Sequence, residues 1–449
     1  MGNNPTKFQL VIARIEANSP SVQELSLEKH DVGDKRTRVL AEALRQNNTL
    51  ERLNLSACNV TSLGVRYLSD AICNIIITSN IRRINISDNP KVGPEGGKYL
   101  ANALKNNKIL EQLAVNNCGL GDEGFIPIAE ALSTNRSLAV IEAGENEITD
   151  EGAKAIGDAL KLNTSLEGIS LWTNLITSNG AQHIAEGLAA NKTLVWIGLG
   201  GNGVDVEGAW ALAEGLRGNM SLQWLAMGGN MLGDRGAMHL ATVLANDACG
   251  LQSIGMGGNE ISDDGATNLA GALKTNTKLR SLGLGGNRIG DEGAKQLAEM
   301  LLTNNTLQKL LISSNILGDT AVVHLATALE TNTGLETLLL ADNPFSDEGG
   351  ESLARVLCET NKTLRTLDVH NSQMTNGSEK KIVKALQNQS ALTKLGSAFG
   401  TKQNAITFIK GDENKEAREK QERRLEVAAA VKTYRNKAIP GIEEGAEMF

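Results

Sequence analysis

The stretch Leu279-Arg-Ser-Leu-Gly-Leu-Gly-Gly-Asn287 decides the fold, because it returns roughly every 28 residues. Counterparts begin at Val22, Leu50, Ile81, Leu110 and Leu138, then at Leu166, Leu194, Leu222, Leu251, Leu307, Leu335 and Leu364, and Leu392 opens a last, degenerate copy. Such a chain is a stack of repeats, none of which can bury its own apolar face without neighbours. The period overrides the two or three domains that a length of 449 residues would suggest.

Each repeat opens Leu-x-x-Leu-x-Leu-x-x-Asn. The period of two predicts a short strand with one face buried. The Asn that follows (Asn146, Asn174, Asn202, Asn230, Asn259, Asn287, Asn315, Asn343) is expected to satisfy the backbone of a tight loop. An apolar residue, an acid or hydroxyl residue and a glycine come next, as in Ile148-Thr-Asp-Glu-Gly152. The Asp reads as the N-cap of its own helix. Ala294, Leu297, Ala298, Leu301 and Leu302 then form one helical stripe. The glycine at each helix start (Gly124, Gly152, Gly180, Gly208, Gly236, Gly265, Gly293) is expected to let neighbouring helices approach.

The pattern resembles the leucine-rich repeats of the ribonuclease-inhibitor type over about residues 8–400. That resemblance implies an α/β fold, a right-handed βα solenoid or horseshoe of about 13–14 units, with an inner parallel sheet and outer helices. The expected organisation is an N-terminal helical cap at 1–21, the solenoid at 22–400, and a charged C-terminal helix and tail at 401–449. An apolar insertion, Ile75-Ile-Ile-Thr78, suggests a local bulge.

Several functional classes are disfavoured. The formal net charge of -8 argues against a nucleic-acid partner. No apolar run is long enough for a transmembrane segment, and no signal-peptide pattern opens the chain. The five cysteines (Cys58, Cys73, Cys118, Cys249, Cys358) are odd in number and scattered, which fits a reduced, intracellular protein. Glycosylation motifs at Asn47, Asn135, Asn163, Asn191, Asn219, Asn304 and Asn361 share one repeat position, where Asn suits a left-handed helix end. Gly198-Leu-Gly-Gly-Asn-Gly203 matches a dinucleotide fingerprint but recurs as repeat grammar. His183, His239 and His324 lie on separated helices and cannot share a metal. No cofactor, metal or nucleophile–base pair is expected. Met-Gly-Asn-Asn-Pro-Thr makes Gly2 a candidate for lipidation and a weak membrane anchor.

What remains is binding. Residues between the strand leucines are expected to face the inner surface. Early repeats place Glu24, Arg52, Arg83 and Gln112 there. Later repeats place Val140, Trp196, Gly198, Trp224, Ala226, Gly255, Gly283, Leu311 and Leu339, with Trp172 just past its strand. Exposed tryptophans beside small residues would form a partner-binding trough. Trp210, on a helix, reads as core or convex packing. The expectation is a non-enzymatic scaffold that binds a protein partner along this face. The Asn47-Asn-Thr-Leu-Glu-Arg-Leu-Asn-Leu55 run and the decaying end, Ile382 to Leu392, resemble the tropomodulin repeat domain, which implies a cytoskeletal or ciliary setting. The alternative is a GTPase regulator resembling Ran GTPase-activating proteins, with Arg36 and Arg38 near the arginine that such proteins use. A secreted-enzyme inhibitor like the namesake ranks lower, since five cysteines are too few.

Overall fold

The computed structural model describes residues 7–73, 80–375, 377–378 and 380–382. Gly2, the Ile75–Thr78 insertion, the repeat copy at Leu392 and the tail at 401–449 lie outside the described residues. Short strands alternate with helices, and strand order follows chain order. The strands are β1 (Glu24–Ser26), β2 (Arg52–Asn54), β3 (Arg83–Asn85), β4 (Gln112–Ala114), β5 (Val140–Glu142), β6 (Gly168–Ser170) and β7 (Trp196–Gly198). They continue as β8 (Trp224–Ala226), β9 (Ser253–Gly255), β10 (Ser281–Gly283), β11 (Lys309–Leu311), β12 (Thr337–Leu339) and β13 (Thr366–Asp368).

Two compact units divide the chain. The first holds the described residues up to Ser253 together with Gly258–Leu279; the second holds Ile254–Gly257 and the described residues from Arg280 onward. In the first, β1 to β8 pair in parallel, so that Gln112, Val140, Gly168, Trp196 and Trp224 stand side by side. In the second, β10 to β13 pair likewise and align Gly283, Leu311, Leu339 and Asp368. The middle residue of each strand is core: Ile169, Leu225 and Leu310 are fully buried. The helix stripe packs behind it, with Ala294, Leu297, Ala298 and Leu301 buried. Leu302 departs from that stripe: it follows the helix Asp291–Leu301 and is 53% exposed.

Two polar ladders join successive repeats, and both differ from the sequence expectation. The first is the Asp ladder. Asp122 lies inside the first turn of its helix, Gly121–Leu132, and does not cap it. Its carboxylate reaches the next helix, where Oδ1 accepts from Thr149 N at 3.0 Å and Gly152 N at 3.1 Å, and Oδ2 accepts from Thr149 Oγ1 at 2.5 Å. Asp34, Asp234 and Asp319 repeat the pattern on Thr61, Ser262 and Ser346. Each acid therefore satisfies orphan donors one repeat away. This explains the helix-start glycine: a Cβ on Gly152 would sit 2.7 Å from Asp122 Oδ1 and block the approach. Helix-start glycines also let neighbouring helices approach, as at Gly124, where a Cβ would fall 2.9 Å from Pro94 Cα, and glycines deeper in the helix do the same, as where Gly187 meets Gly157 O.

The second ladder concerns the Asn before each strand. Asn163 is not left-handed; it is extended, at φ -74 and ψ 138. The residue is 3% exposed. Its Nδ2 donates to Leu132 O of the preceding helix at 2.6 Å, and its Oδ1 accepts from Ser165 N at 2.8 Å and Leu166 N at 2.7 Å. Ser165 Oγ donates to Asn135 O at 3.3 Å, so the hydroxyl two residues on ties to the preceding repeat as well. The Asn-x-Ser/Thr spacing is a structural tie, in keeping with the rule that buried amides are hydrogen-bonded.

Candidate functional site: the sheet face

The exposed face of each strand is built by alternation, with the third and fifth residues of each repeat pointing away from the core. In the first unit this face changes character along the strands. Early on it is charged and internally paired: Arg52 Nε meets Glu24 Oε2 at 2.9 Å, and Arg82 pairs with Glu111 beside it. From β5 onward it becomes aromatic and small.

The tryptophans do not all stand in solvent, as the sequence suggested. Trp196 is buried, at 3% exposure. Its indole lies across Gly168 on the preceding strand, where any Cβ would collide with Nε1 and Cε2. Trp224 covers it from the other side, ring centroids 5.8 Å apart and planes tilted by 38°. Among the described residues the Trp196 Nε1 has no hydrogen-bond partner. Trp172 is half-buried and leans in the same way over Gly144. Val140 is buried beside this cluster. The sequence reading missed the two glycine seats. Their signal was a glycine on one strand with a tryptophan a repeat later, Gly168 with Trp196 and Gly144 with Trp172.

Gly198 and Ala226 are half-buried beside the cluster. A side chain at Gly198 would touch Ser170 at an ordinary 3.6 Å, so the space above it is open. In the second unit a Cβ on Gly255 would meet nothing within 4 Å, Gly283 is buried, and Leu311 and Leu339 stand side by side half-buried. At its far end His370 Nδ1 lies 2.6 Å from Asp368 Oδ1.

Other candidates go elsewhere. Of the two readings of Trp210, core packing falls: it is 53% exposed on the helix Val206–Leu216, and exposed Met238 holds the equivalent place one repeat on. Arg36 donates to Asp31 O and lies over Phe8, while Arg38 pairs with Glu42, so both are engaged on the helix Gly33–Leu44. Among the described residues no group of three His, Cys, Asp or Glu could hold a metal ion, and no helix is long and apolar enough to cross a membrane. Burial pushes the Cys118 thiol up to about 12, which leaves it protonated and unreactive.

Residues 46–69, 79–101, 106–129, 135–157, 275–298 and 331–354 match the Leucine Rich repeat family. The chain is a leucine-rich-repeat protein. Within each unit the repeat explains why the variable residues gather on the sheet face while the leucines and asparagines stay fixed. It is similar to the Protein Cep78 homolog of Drosophila melanogaster, at 24% identity over 129 residues, covering 24% of this chain and 16% of that protein. The chain thus matches about a sixth of the length of that relative. Among solved structures, an internalin of Listeria monocytogenes is 18% identical with a TM-score of 0.47, covering 86% of this chain and 91% of that one. A tropomodulin C-terminal domain from Caenorhabditis elegans is 16% identical with a TM-score of 0.31, covering 34% of this chain and 93% of that one.

Proposed function

We propose that this leucine-rich-repeat protein is a non-enzymatic interaction module whose sheet face binds a protein partner. Leucine-rich repeats generally mediate protein–protein contact, and the face of β5 to β8 has the composition of a binding surface. The observation that carries the reading is the association of Trp224, packed on Trp196, and Trp172, packed on Gly144, both half-exposed, with the open space above Gly198. Tryptophans dominate interface energetics when they are held in place, because little side-chain entropy is lost on binding. Gly255, Gly283, Leu311 and Leu339 extend the proposal to the second unit's own face. A cytoskeletal or ciliary setting belongs to the same proposal and rests on the tropomodulin-like runs of sequence.

A photo-crosslinking side chain placed at Gly198 or Gly255 tests the reading, since both positions have room for it. Discrete crosslinked species from these positions in native lysate, and none from Met238 on a helix, are expected. Crosslinks arising from Met238 alone would move the partner site to the helices.

A further inference from the structure

The strand segments 139–145, 167–173, 195–201 and 223–229 contain no Lys or Arg; their charged residues are Glu142, Glu145 and Glu167. Each acid lies within two residues, along the chain, of a glycine on which a tryptophan rests. Glu142 stands two residues before Gly144, the seat of Trp172, and Glu145 follows that seat and donates its backbone N–H to Trp172 O at 3.0 Å. Glu167 precedes Gly168, the seat of Trp196, and its carbonyl accepts from Trp196 N at 3.0 Å. Among the described residues none of the three acids has an ion pair; the Glu142 carboxylate accepts from Asn116 Nδ2, at 3.3 Å. Burial holds the Glu167 carboxyl above the usual carboxylate range. Along β1 to β4, Glu24 and Glu111 by contrast have arginine partners from the neighbouring repeat, while Glu51 and Asp88 have no ion pair among the described residues.

We propose that the occupant of the β5 to β8 face is a basic polypeptide segment, which sets Lys or Arg side chains beside Glu142, Glu145 and Glu167 and against the rings of Trp172 and Trp224. The inference rests on the partner-binding reading of this face and adds the chemistry of the partner. Docking removes water from all three carboxylates, and an unpaired carboxylate in a dry interface is costly. A neutral or acidic partner leaves that cost uncompensated, whereas a cation removes it. Indole faces add their own attraction for guanidinium and ammonium groups. The aliphatic stems of Lys and Arg suit the shallow, small-residue floor at Gly198 and Ala226.

The test is fluorescence anisotropy with the full chain and three labelled synthetic peptides: an amphipathic Arg/Leu peptide, its citrulline version and its Glu version. The Arg peptide is expected to bind at least about tenfold more tightly than the citrulline one, and the Glu peptide not at all. Binding of the Arg peptide should fall about tenfold in Glu142→Gln/Glu145→Gln/Glu167→Gln and in Trp224→Ala, and weaken in about 1 M salt, where the Debye length is ~3 Å. Trp210→Ala should leave it unchanged. Circular dichroism checks each fold. Citrulline binding as tight as Arg binding, with both lost in Trp224→Ala, overturns the basic partner and leaves the face as the binding site. Arg-peptide binding that survives both variants, or no binding of any peptide, overturns both readings.

Discussion

Ser178 and Asp205 exchange the roles that an acid and a hydroxyl play at the neighbouring helix junctions. One repeat earlier, Asp150 accepts from Thr177 N at 2.7 Å and from Thr177 Oγ1 at 2.6 Å. At the next junction the hydroxyl stands on the earlier helix and the acid on the later one. Ser178 Oγ accepts from Asp205 N at 3.1 Å and Gly208 N at 3.0 Å, and donates to the Asp205 carboxylate. Asp205 also caps its own helix, taking Glu207 N at 3.0 Å.

The swapped pair predicts strong non-additivity. Ser178→Asp alone sets two carboxylates at hydrogen-bond range, and Asp205→Thr alone removes the acceptor and the cap; each should destabilise by about 1–3 kcal/mol. The double exchange rebuilds the arrangement of Asp150 with Thr177 and should recover most of that loss. A double-mutant cycle by urea denaturation is expected to return a coupling of about 1 kcal/mol or more. Additive effects would mean that the junction tolerates either residue independently.

Acid should loosen these junctions. At Asp205 burial works against ionisation, but the hydrogen bonds from Ser178 and from Gly208 N–H outweigh it and hold the carboxyl below its ordinary value. At Asp319 burial likewise opposes ionisation, and the donors Ser346 and Gly349 N–H prevail. A depressed folded pKa contributes stability that is fully present above the unfolded value, ~3.9, and is lost as pH falls through the lower folded value. Urea midpoints should therefore decline below about pH 4, and Asp319→Asn should shallow that decline while lowering the midpoint at neutral pH.

The ladder also shows where sequence reading reaches its limit. Period and alternation reveal the strands, the buried leucines and the helix stripe, because those depend on spacing within a single repeat. N-capping is a local rule and points the Asp to its own helix, whereas the partner of Asp122, Thr149, stands 27 residues away. The dependence is written in the sequence all the same. Where the Asp position holds Ser62, Pro94 or Val206, the next helix opens on Gly93, Gly121 or Gly233, each left-handed at φ 55 to 59. That turn sends the glycine N–H to a backbone carbonyl, as from Gly121 to Asn146 O at 2.9 Å. The tryptophans show the same limit. A tryptophan between two strand leucines reads as exposed until the glycine on the strand beside it is recognised as its seat.

That seat can be tested directly. Gly168→Ala places a methyl where the Trp196 indole lies, and Gly168→Val places more. The indole must lift, at a cost of about 1–3 kcal/mol. Tryptophan emission should shift to the red as Trp196 leaves its 3% exposure, and the urea midpoint should drop. Gly255→Ala is the control: with nothing within 4 Å of the new methyl, neither quantity should move.

The asparagine ladder makes the last prediction. Asn163→Ala leaves Leu132 O, Ser165 N and Leu166 N without the amide that joins them. Buried groups deprived of their partners carry the full desolvation penalty, so the loss should reach about 3 kcal/mol. Asn163→Asp should be nearly as damaging, because it sets a carboxylate oxygen against Leu132 O in place of a donor. Ser165→Ala removes the 3.3 Å bond to Asn135 O and two long contacts with the Asn163 amide, at 3.4 and 3.5 Å, and should cost about 1 kcal/mol. Urea denaturation ranks the three variants. Expression through a glycosylating pathway adds an independent readout: at 3% exposure, with every amide atom engaged, Asn163 should emerge unmodified by mass spectrometry. A glycan there would require the junction between two repeats to open, and would contradict the tie that holds them together.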